Sequence, residues 1–282
     1  MDDCTDVDQN WGHYRLIRSL GRGNFSEVYL GQHIYSHTLV AIKRLCTPLI
    51  GEEAEDFLTR ADKLSRLRHP HIVPILDFGI KDEIAFLVMA YIPHGTFRQR
   101  YPRGTQVPFE LIPDYLVQIA AGLQYFHEQG LVHRDIKPHN IMFGAKGEIL
   151  NSDFGTAIGS YSLGPGQVSL QDFEGTVLYA APEQLQGMPR RSSDQYALGV
   201  MVYEWICGDW PFNGTFHEVV HQHLFIQPPP LQEKYVACPA NIAQVVMRAL
   251  EKDPVKRFPS VKLFADEFAW AYKVARAKKQ LP

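Results

Sequence analysis

The chain has 282 residues, 45% of them hydrophobic and 21% charged, which fits a folded globular protein. Its formal net charge of −3 gives no electrostatic reason to expect binding to nucleic acid or to an acidic membrane surface. The four cysteines are far apart and show no C-x-x-C spacing, which predicts reduced thiols in a cytoplasmic protein. The sequence has no apolar run of about eighteen residues, so we expect no membrane segment in this chain, and its acidic start is untypical of a signal peptide.

Residues 14–45 carry a strand pattern that is interrupted by a glycine-rich turn. The turn, residues 21–26, reads Gly-Arg-Gly-Asn-Phe-Ser and differs from G-x-G-x-x-G because Ser26 replaces the third glycine. The residues after it predict a strand, whereas a dinucleotide-binding turn requires a helix there. Two interpretations remain on local grounds: a plain hairpin, or a hairpin whose Gly21 and Gly23 let backbone N–H groups approach phosphate oxygens.

A helix is predicted over residues 52–68, followed by strands over 72–78 and 84–91. Four apolar residues of the helix share one face at helical spacing: Phe57, Ala61, Leu64 and Leu67. The helix must end before His69-Pro70, because the residue before a proline avoids the helical region. Pro93-His94-Gly95 then breaks the strand pattern.

The second half of the chain is mainly helical by pattern. A helix is predicted over 110–128, ending at Gly130, and short strands over 141–143 and 148–150. Residues 194–207 are apolar almost all round, which predicts a buried helix with Asp194 as its N-cap.

The most informative stretch is residues 133–140, His-Arg-Asp-Ile-Lys-Pro-His-Asn. It holds a carboxylate (Asp135), an ammonium (Lys137) and a carboxamide (Asn140) within six residues. Phosphoryl transfer needs such groups, because a carboxylate orients the attacking hydroxyl and accepts its proton, a cation stabilises the moving group, and a neutral oxygen ligates a hard metal. A second carboxylate follows about thirteen residues later in Asp153-Phe154-Gly155.

These two motifs resemble the catalytic and metal-binding loops of eukaryotic-type (Hanks-type) serine/threonine protein kinases, and the sequence style suggests a bacterial member. The resemblance covers residues 14–272. It implies an α+β, bilobal protein-kinase-like fold: a small β-rich N-lobe with one long helix (14–91) and a larger, mainly α C-lobe (92–272). A leader (1–13) would precede this domain, and a basic tail (273–282) would follow it.

The resemblance also implies roles for individual residues in an ATP- and Mg²⁺-dependent enzyme that phosphorylates Ser/Thr hydroxyls of a protein substrate. Asp135 would be the catalytic base, and Lys137 would stabilise charge on the γ-phosphoryl group. Asn140 and Asp153 would bind Mg²⁺. The implied ATP-binding positions are Gly21, Gly23, Val28, Ala41, Lys43, Met89, Ala90, Ile92 and Met142. Among these, Lys43 would hold the α- and β-phosphates.

Further expectations concern support and regulation of this site. By resemblance, Asp194 would brace the catalytic loop, and Arg257 would pair with Glu183. Arg134 resembles the arginine of kinases whose activation loop is ordered by phosphorylation. The candidate acceptors are Ser160, Ser162, Ser169 and Thr176, and autophosphorylation in trans is an open option.

One position departs from the family. Kinases pair the Lys43-type lysine with a helix glutamate, and the corresponding position here holds Arg60. Two cations about 4 Å apart would repel by about 4 kcal/mol at an effective dielectric near 20. We therefore expect no salt bridge from Lys43 to a helix glutamate without nucleotide. Four arrangements remain open: a triphosphate could bridge both cations, a helix shift could bring Asp56 level with Lys43, catalysis could be weak, or Arg60 could point to solvent while Lys43 relies on Asp153 and phosphate. Weak catalysis keeps open a pseudokinase, a nucleotide-binding or scaffold module.

Residues 217–221, His-Glu-Val-Val-His, satisfy the H-E-x-x-H pattern of zinc proteases. No suitable third ligand follows them in a helical pattern. We therefore predict that His217 and His221 are surface histidines of a helix.

Overall fold

The structure, a computed structural model, describes residues 9–23, 26–153 and 177–281. The chain divides into two compact units, Met1–Pro93 and His94–Pro282, so the division falls within the Pro93-His94-Gly95 stretch. The first unit is β-rich and the second mainly helical, which confirms the predicted α+β class. Within the described ranges, no helix has the length and apolar character needed to cross a membrane.

The first unit is built on an antiparallel sheet and a helix. Its elements are β1 (Asn10–Trp11), β2 (Tyr14–Arg22), β3 (Ser26–His33), β4 (Leu39–Pro48), α1 (Glu52–Ser65), β5 (Ile75–Lys81) and β6 (Ile84–Ala90). The strand order in the sheet is β1-β2-β3-β4-β6-β5. One apolar cluster includes Tyr29, Val40 and Ile42. Because side chains alternate along a strand, Val28 and Ala41 point to the opposite face of the sheet.

The boundaries of two predicted elements shift. The helix α1 ends at Ser65 rather than at residue 68, although its four predicted apolar residues are all buried. The strand β5 begins at Ile75 rather than at residue 72. Pro74 precedes it and has no N–H for the ladder, and its carbonyl accepts a hydrogen bond from the Ala90 N–H (3.1 Å).

The second unit packs its helices around a large apolar core. They are α2 (Phe97–Arg100), α3 (Ile112–Glu128), α4 (Pro182–Leu185), α5 (Arg191–Cys207), α6 (Phe216–Phe225), α7 (Leu231–Lys234), α8 (Ala240–Ala249) and α9 (Val261–Ala277). A hairpin of β7 (Ile141–Phe143) and β8 (Ile149–Asn151) and 3₁₀ turns at Pro138–Asn140, Val177–Tyr179 and Pro254–Lys256 complete it. The predicted helix 110–128 begins two residues late, at Ile112, and Gly130 takes a left-handed φ of 74° just after it.

The prediction that Asp194 caps its helix is wrong. The helix α5 begins at Arg191, and the N-cap is Arg190, whose N–H donates to Ser193 Oγ (2.9 Å). Asp194 therefore lies inside the first turn, 1% exposed, where its carboxylate faces other elements. The last helix, α9, continues to Ala277, so the first part of the predicted tail is helical and buries Ala275.

Candidate active site

Three of the predicted site residues lie together in the second unit, in the loop between α3 and β7. Lys137 Nζ lies 2.9 Å from Asp135 Oδ1, and Asn140 Nδ2 donates to Asp135 Oδ2 (2.8 Å). Asn140 Nδ2 also donates to the Asp135 backbone carbonyl (2.8 Å), which fixes the spacing of the loop. The carboxylate of Asp135 is thus held by an ammonium and an amide, with only 8% of the residue exposed.

The carboxylate of Asp194 accepts hydrogen bonds from the backbone of this loop. Its Oδ2 accepts the His133 N–H (2.9 Å), and its Oδ1 accepts the Arg134 N–H (2.8 Å). His127 Nε2 lies 2.7 Å from the same carboxylate. Burial alone would raise the pKa of Asp194, but these hydrogen bonds and the nearby histidines lower it below its usual value. The structure confirms the predicted brace.

Backbone strain marks two positions of the site. Arg134 has a φ of 68° and Asp153 a φ of 63°, values that non-glycine residues adopt at a cost of order 1–3 kcal/mol. The two N–H bonds to Asp194 help to hold the first of these conformations. Near the second, the Ser152 N–H and Oγ both donate to the Asn140 carbonyl, at 2.8 and 2.9 Å. These contacts tie Asp153 to the loop that carries Asp135.

The residues proposed to bind a metal have suitable donor atoms. The amide nitrogen of Asn140 is used by Asp135, which leaves its oxygen, Oδ1, as the atom that can face a cation. Asp153 contributes a carboxylate, and hard divalent cations prefer such oxygen ligands. Among the described residues, no group of three or more His, Cys, Asp or Glu side chains could hold a metal. A pair of protein ligands suits Mg²⁺, which usually completes its shell with water and substrate phosphates.

In the first unit, the sheet register aligns several predicted ATP-binding residues. Gly21 pairs with Val28, and Val28 pairs with Lys43, so the three lie in one row across β2, β3 and β4. Ala41 pairs with Met89 two rows further along the strands, and this two-residue spacing keeps Ala41 on the same face as Lys43. Directly paired residues point to the same face of a sheet, so Val28, Ala41 and Lys43 share one surface.

The glycine-rich turn is a strand–turn–strand hairpin, as predicted, with Gly23 N–H donating to the Ser26 carbonyl (2.8 Å). Asn24 and Phe25 at its tip lie outside the described residues. At the end of β6, Ala90 N–H is already used by Pro74, so only its carbonyl would be available to a purine. Ile92 follows two residues later. Met142, in the second unit, lies on β7 and pairs with Leu150.

The position that departs from the family has a local partner. Arg60 Nη2 lies 3.5 Å from Asp56 Oδ2, one turn earlier on α1, in a partly exposed ion pair. The absence of a bond from Lys43 to a helix glutamate stays a prediction.

A buried ion pair links two parts of the second unit that are far apart in the sequence. Arg257 donates to both oxygens of Glu183, at 2.7 and 2.9 Å, and Ser193 Oγ donates to the same carboxylate (2.7 Å). Burial opposes ionisation of Glu183, but the guanidinium dominates and lowers the pKa of that carboxyl. The predicted Arg257–Glu183 pair is confirmed.

The H-E-x-x-H stretch has a structural role. The Glu218 carboxylate accepts the Thr215 N–H (2.7 Å), and Thr215 Oγ1 accepts the Glu218 N–H (3.4 Å), which together form a capping box at the start of α6. The carboxylate is thereby occupied, and His217 and His221 are not buried.

Sequence reasoning missed several residues that support the site. Gln184 Nε2 donates to the Arg134 carbonyl (2.7 Å), and His223 Nε2 lies 3.2 Å from the Leu178 carbonyl. Burial lowers the pKa of His223 to about 3, so this ring is neutral. Lys252 Nζ donates to the carbonyls of Gln222 (3.0 Å) and His223 (2.8 Å). No local pattern in the sequence reports these long-range bonds.

Some predicted features fall outside the described residues. They are Phe154, Gly155 and the candidate phosphorylation sites Ser160, Ser162, Ser169 and Thr176.

A β-rich unit followed by a helical one, with Asp135, Lys137 and Asn140 gathered on a braced loop, defines the class of this protein. Residues 14–269 match the sequence family described as "Protein kinase domain". The chain belongs to the protein kinase family.

Similar proteins are bacterial serine/threonine-protein kinases. PrkC of Bacillus subtilis is 31% identical over 276 residues, covering 95% of this chain and 42% of that protein. Pkn2 of Myxococcus xanthus is 35% identical, covering 94% and 33%, and PknB of Mycobacterium tuberculosis is 32% identical, covering 87% and 40%. This chain therefore spans less than half the length of these relatives.

Proposed function

We propose that this chain transfers the γ-phosphoryl group of ATP to serine or threonine hydroxyls of a protein substrate. The observation that carries the proposal is the arrangement of Lys137 Nζ and Asn140 Nδ2 at 2.9 and 2.8 Å from the two oxygens of Asp135. Family membership supports ATP as the phosphoryl donor. The kinase activity itself is part of the proposal, because this chain matches less than half the length of each relative named above.

Each residue of the loop has a chemical task in this proposal. Asp135 orients the acceptor hydroxyl and takes its proton as the oxygen attacks. Lys137 lies at the same carboxylate and stabilises negative charge on the transferring group. The brace from Asp194 keeps these groups in place, which avoids reorganisation during the reaction.

The donor atoms described above fit Mg²⁺ at Asn140 Oδ1 and the Asp153 carboxylate. When bound, the ion would neutralise charge on the ATP phosphates. Lys43 is proposed to hold the α- and β-phosphates, with Gly21 and Gly23 allowing backbone N–H groups to approach phosphate oxygens. Val28, Ala41, Met89, Ala90, Ile92 and Met142 are proposed to surround the adenine.

The cellular location of the chain is also a proposal. Cys46, Cys207 and Cys238 form no disulfide within the part of the chain that the structure describes, and we place the domain in the cytoplasm, where ATP is available. Autophosphorylation in trans belongs to the same proposal. The comparisons do not favour a pseudokinase, since each relative named above is called a kinase.

The test is to incubate the purified chain with γ-labelled ATP and a serine- and threonine-containing protein, with Mg²⁺ or with EDTA. We expect Mg²⁺-dependent label on both proteins, recovered as phosphoserine or phosphothreonine. Label on tyrosine alone, or no label while ATP still binds, would contradict the proposal.

A further inference from the structure

A group of basic side chains lies beside the loop that carries Asp135, all within the second unit. Residues 98–103 contain three arginines, and the short helix α2 packs against the 3₁₀ turn Pro138–Asn140. That turn exposes His139 next to Asn140. We call Arg98, Arg103 and His139 the basic patch.

The first member of the basic patch is fixed and neutralised. Arg98 Nη2 lies 2.7 Å from Glu204 Oε1 and donates to Tyr179 Oη (2.7 Å). The Tyr179 hydroxyl in turn donates to Glu204 Oε2 (2.7 Å) and accepts the indole N–H of Trp210 (2.9 Å). This network holds the Trp210 ring in a fixed position.

The second member uses that ring as a support. The guanidinium carbon of Arg103 lies 4.0 Å from the ring centroid of Trp210, while the residue as a whole is exposed. Stacking on an aromatic face orients the guanidinium without using its N–H donors. Within the described part of the chain, no carboxylate lies within salt-bridge distance of Arg103, so its charge is directed to solvent.

The local field is positive around His139. The charged groups that act on it are the cations Arg98, Lys137 and Arg103 and the carboxylate of Asp135. Arg98 is paired with Glu204, and Lys137 is paired with Asp135, so Arg103 supplies the uncompensated charge. When the serine or threonine of a substrate peptide lies at Asp135, the residues next to it in that peptide would lie near the basic patch, since an extended peptide advances about 3.3 Å per residue.

We propose that the basic patch selects substrates with an acidic side chain within a few residues of the phosphorylated serine or threonine, and that Arg103 is the specificity-determining residue. This inference rests on the proposed function. A carboxylate of the substrate would bind the stacked guanidinium in a bidentate manner. The Arg98–Glu204 pair has no net charge, and its role is to fix the Trp210 ring on which Arg103 stacks.

The test uses three peptides that share one serine and differ only at the positions two to four residues on either side of it. These positions are Glu in the first peptide, Gln in the second and Lys in the third. For the unmodified chain we expect kcat/KM to be about fivefold higher for the Glu peptide than for the Gln peptide, as for one exposed ion pair, and lowest for the Lys peptide. The preference should fall in 0.5 M salt, which screens exposed charges.

Arg103→Glu should invert the order, so that the Lys peptide is preferred, and Arg103→Gln should abolish the preference. Both should leave turnover of the Gln peptide unchanged, because Arg103 does not contact the reacting groups. Arg248→Glu is the matched control: Arg248 is also an exposed arginine over an aromatic ring, 4.3 Å from Phe258, and this variant should keep the original order.

Equal kcat/KM for the Glu and Gln peptides, or a Glu preference that survives Arg103→Glu, would overturn the inference. Autophosphorylation of each preparation is measured in parallel, so that a chain without any phosphoryl transfer is recognised as a failure of the proposed function. Binding of fluorescent Glu and Lys peptides, followed by anisotropy, then decides the inference by itself. Weaker binding of the Lys peptide supports it, and equal binding contradicts it.

Discussion

Replacing Asp194 by asparagine should both destabilise the chain and stop phosphoryl transfer. Three donors converge on this carboxylate: His127 Nε2 at 2.7 Å and the N–H groups of His133 and Arg134 at 2.9 and 2.8 Å. Asparagine keeps one acceptor oxygen but turns an NH₂ group towards a second donor. The loop would then lose bonds that hold Arg134 in its left-handed conformation.

The magnitude follows from the number of bonds lost. A hydrogen bond to a charged group contributes about 1.5–3 kcal/mol and one to a neutral group about 1 kcal/mol. With its oxygen at the Oδ2 position, asparagine loses the Arg134 bond and weakens the His127 and His133 bonds, which no longer reach a charged acceptor. We expect the free energy of unfolding to fall by about 3–5 kcal/mol, a large part of the 5–15 kcal/mol typical of a folded protein. Phosphoryl transfer should fall below detection, because Asp135 is no longer positioned.

Urea denaturation at 25 °C measures the first effect and γ-labelled ATP the second. The control is Asp266→Asn, which removes an exposed carboxylate paired with Lys262 one turn away on α9 and should cost about 0.5 kcal/mol or less. A loss of less than 1 kcal/mol for Asp194→Asn, with turnover retained, would refute the proposed bracing role.

Three further predictions follow from single side chains. Arg60→Glu should raise kinase activity by placing a carboxylate at the position where the family has one, whereas Arg66→Glu, which breaks the similar pair of Asp62 with the residue just after α1, should not. No gain from Arg60→Glu would favour a triphosphate that bridges both cations. Burial and then the charge of Arg257 lower the pKa of Lys252 to about 7, from 10.5. As pH rises, the folded state releases this proton before the unfolded state does. Between pH 7 and 10 the free energy of unfolding should therefore rise with pH relative to that of Lys252→Met. The rise should be smaller than the full slope of about 1.4 kcal/mol per pH unit, because solvent reaches the ammonium. An equal pH dependence in both proteins would remove Lys252 as its source. Arg134 Nε is buried without a hydrogen-bond partner among the described residues, so it has a donor for a phosphate group of a phosphorylated loop. Phosphopeptide mapping of an active preparation should therefore find phosphate at Ser160, Ser162, Ser169 or Thr176, and an active chain without loop phosphate would contradict this.

Local patterns predicted most of the secondary structure. The helical spacing from Phe57 to Leu67 and the apolar run of α5 correspond to buried faces, because burial requires those periods. Helix and strand ends were less predictable. Asp194 has the chemistry of an N-cap, but Arg190 takes that position one turn earlier, which frees the Asp194 carboxylate for the loop.

The candidate site was predictable as a set of residues and not as a network. Asp135, Lys137 and Asn140 lie within six residues, so their proximity is encoded locally. Gln184 bonds to the same loop from a distant part of the chain, and His127 reaches the loop only through the Asp194 carboxylate. These contacts depend on how α3, α4 and α5 pack. The orientation of Arg103 on Trp210 likewise arises only from tertiary packing.

The most direct test of the central claim is phosphoryl transfer by Asp135→Asn, measured beside ATP affinity. Loss of the base should lower the rate by about 10²–10⁴-fold, while Mg²⁺-dependent ATP binding stays at the level of the unmodified chain. Asp153→Ala, assayed in parallel, should weaken ATP binding as well, since Asp153 is proposed to bind the metal. Near-normal turnover in Asp135→Asn would contradict the assignment of Asp135 as the residue that activates the acceptor hydroxyl.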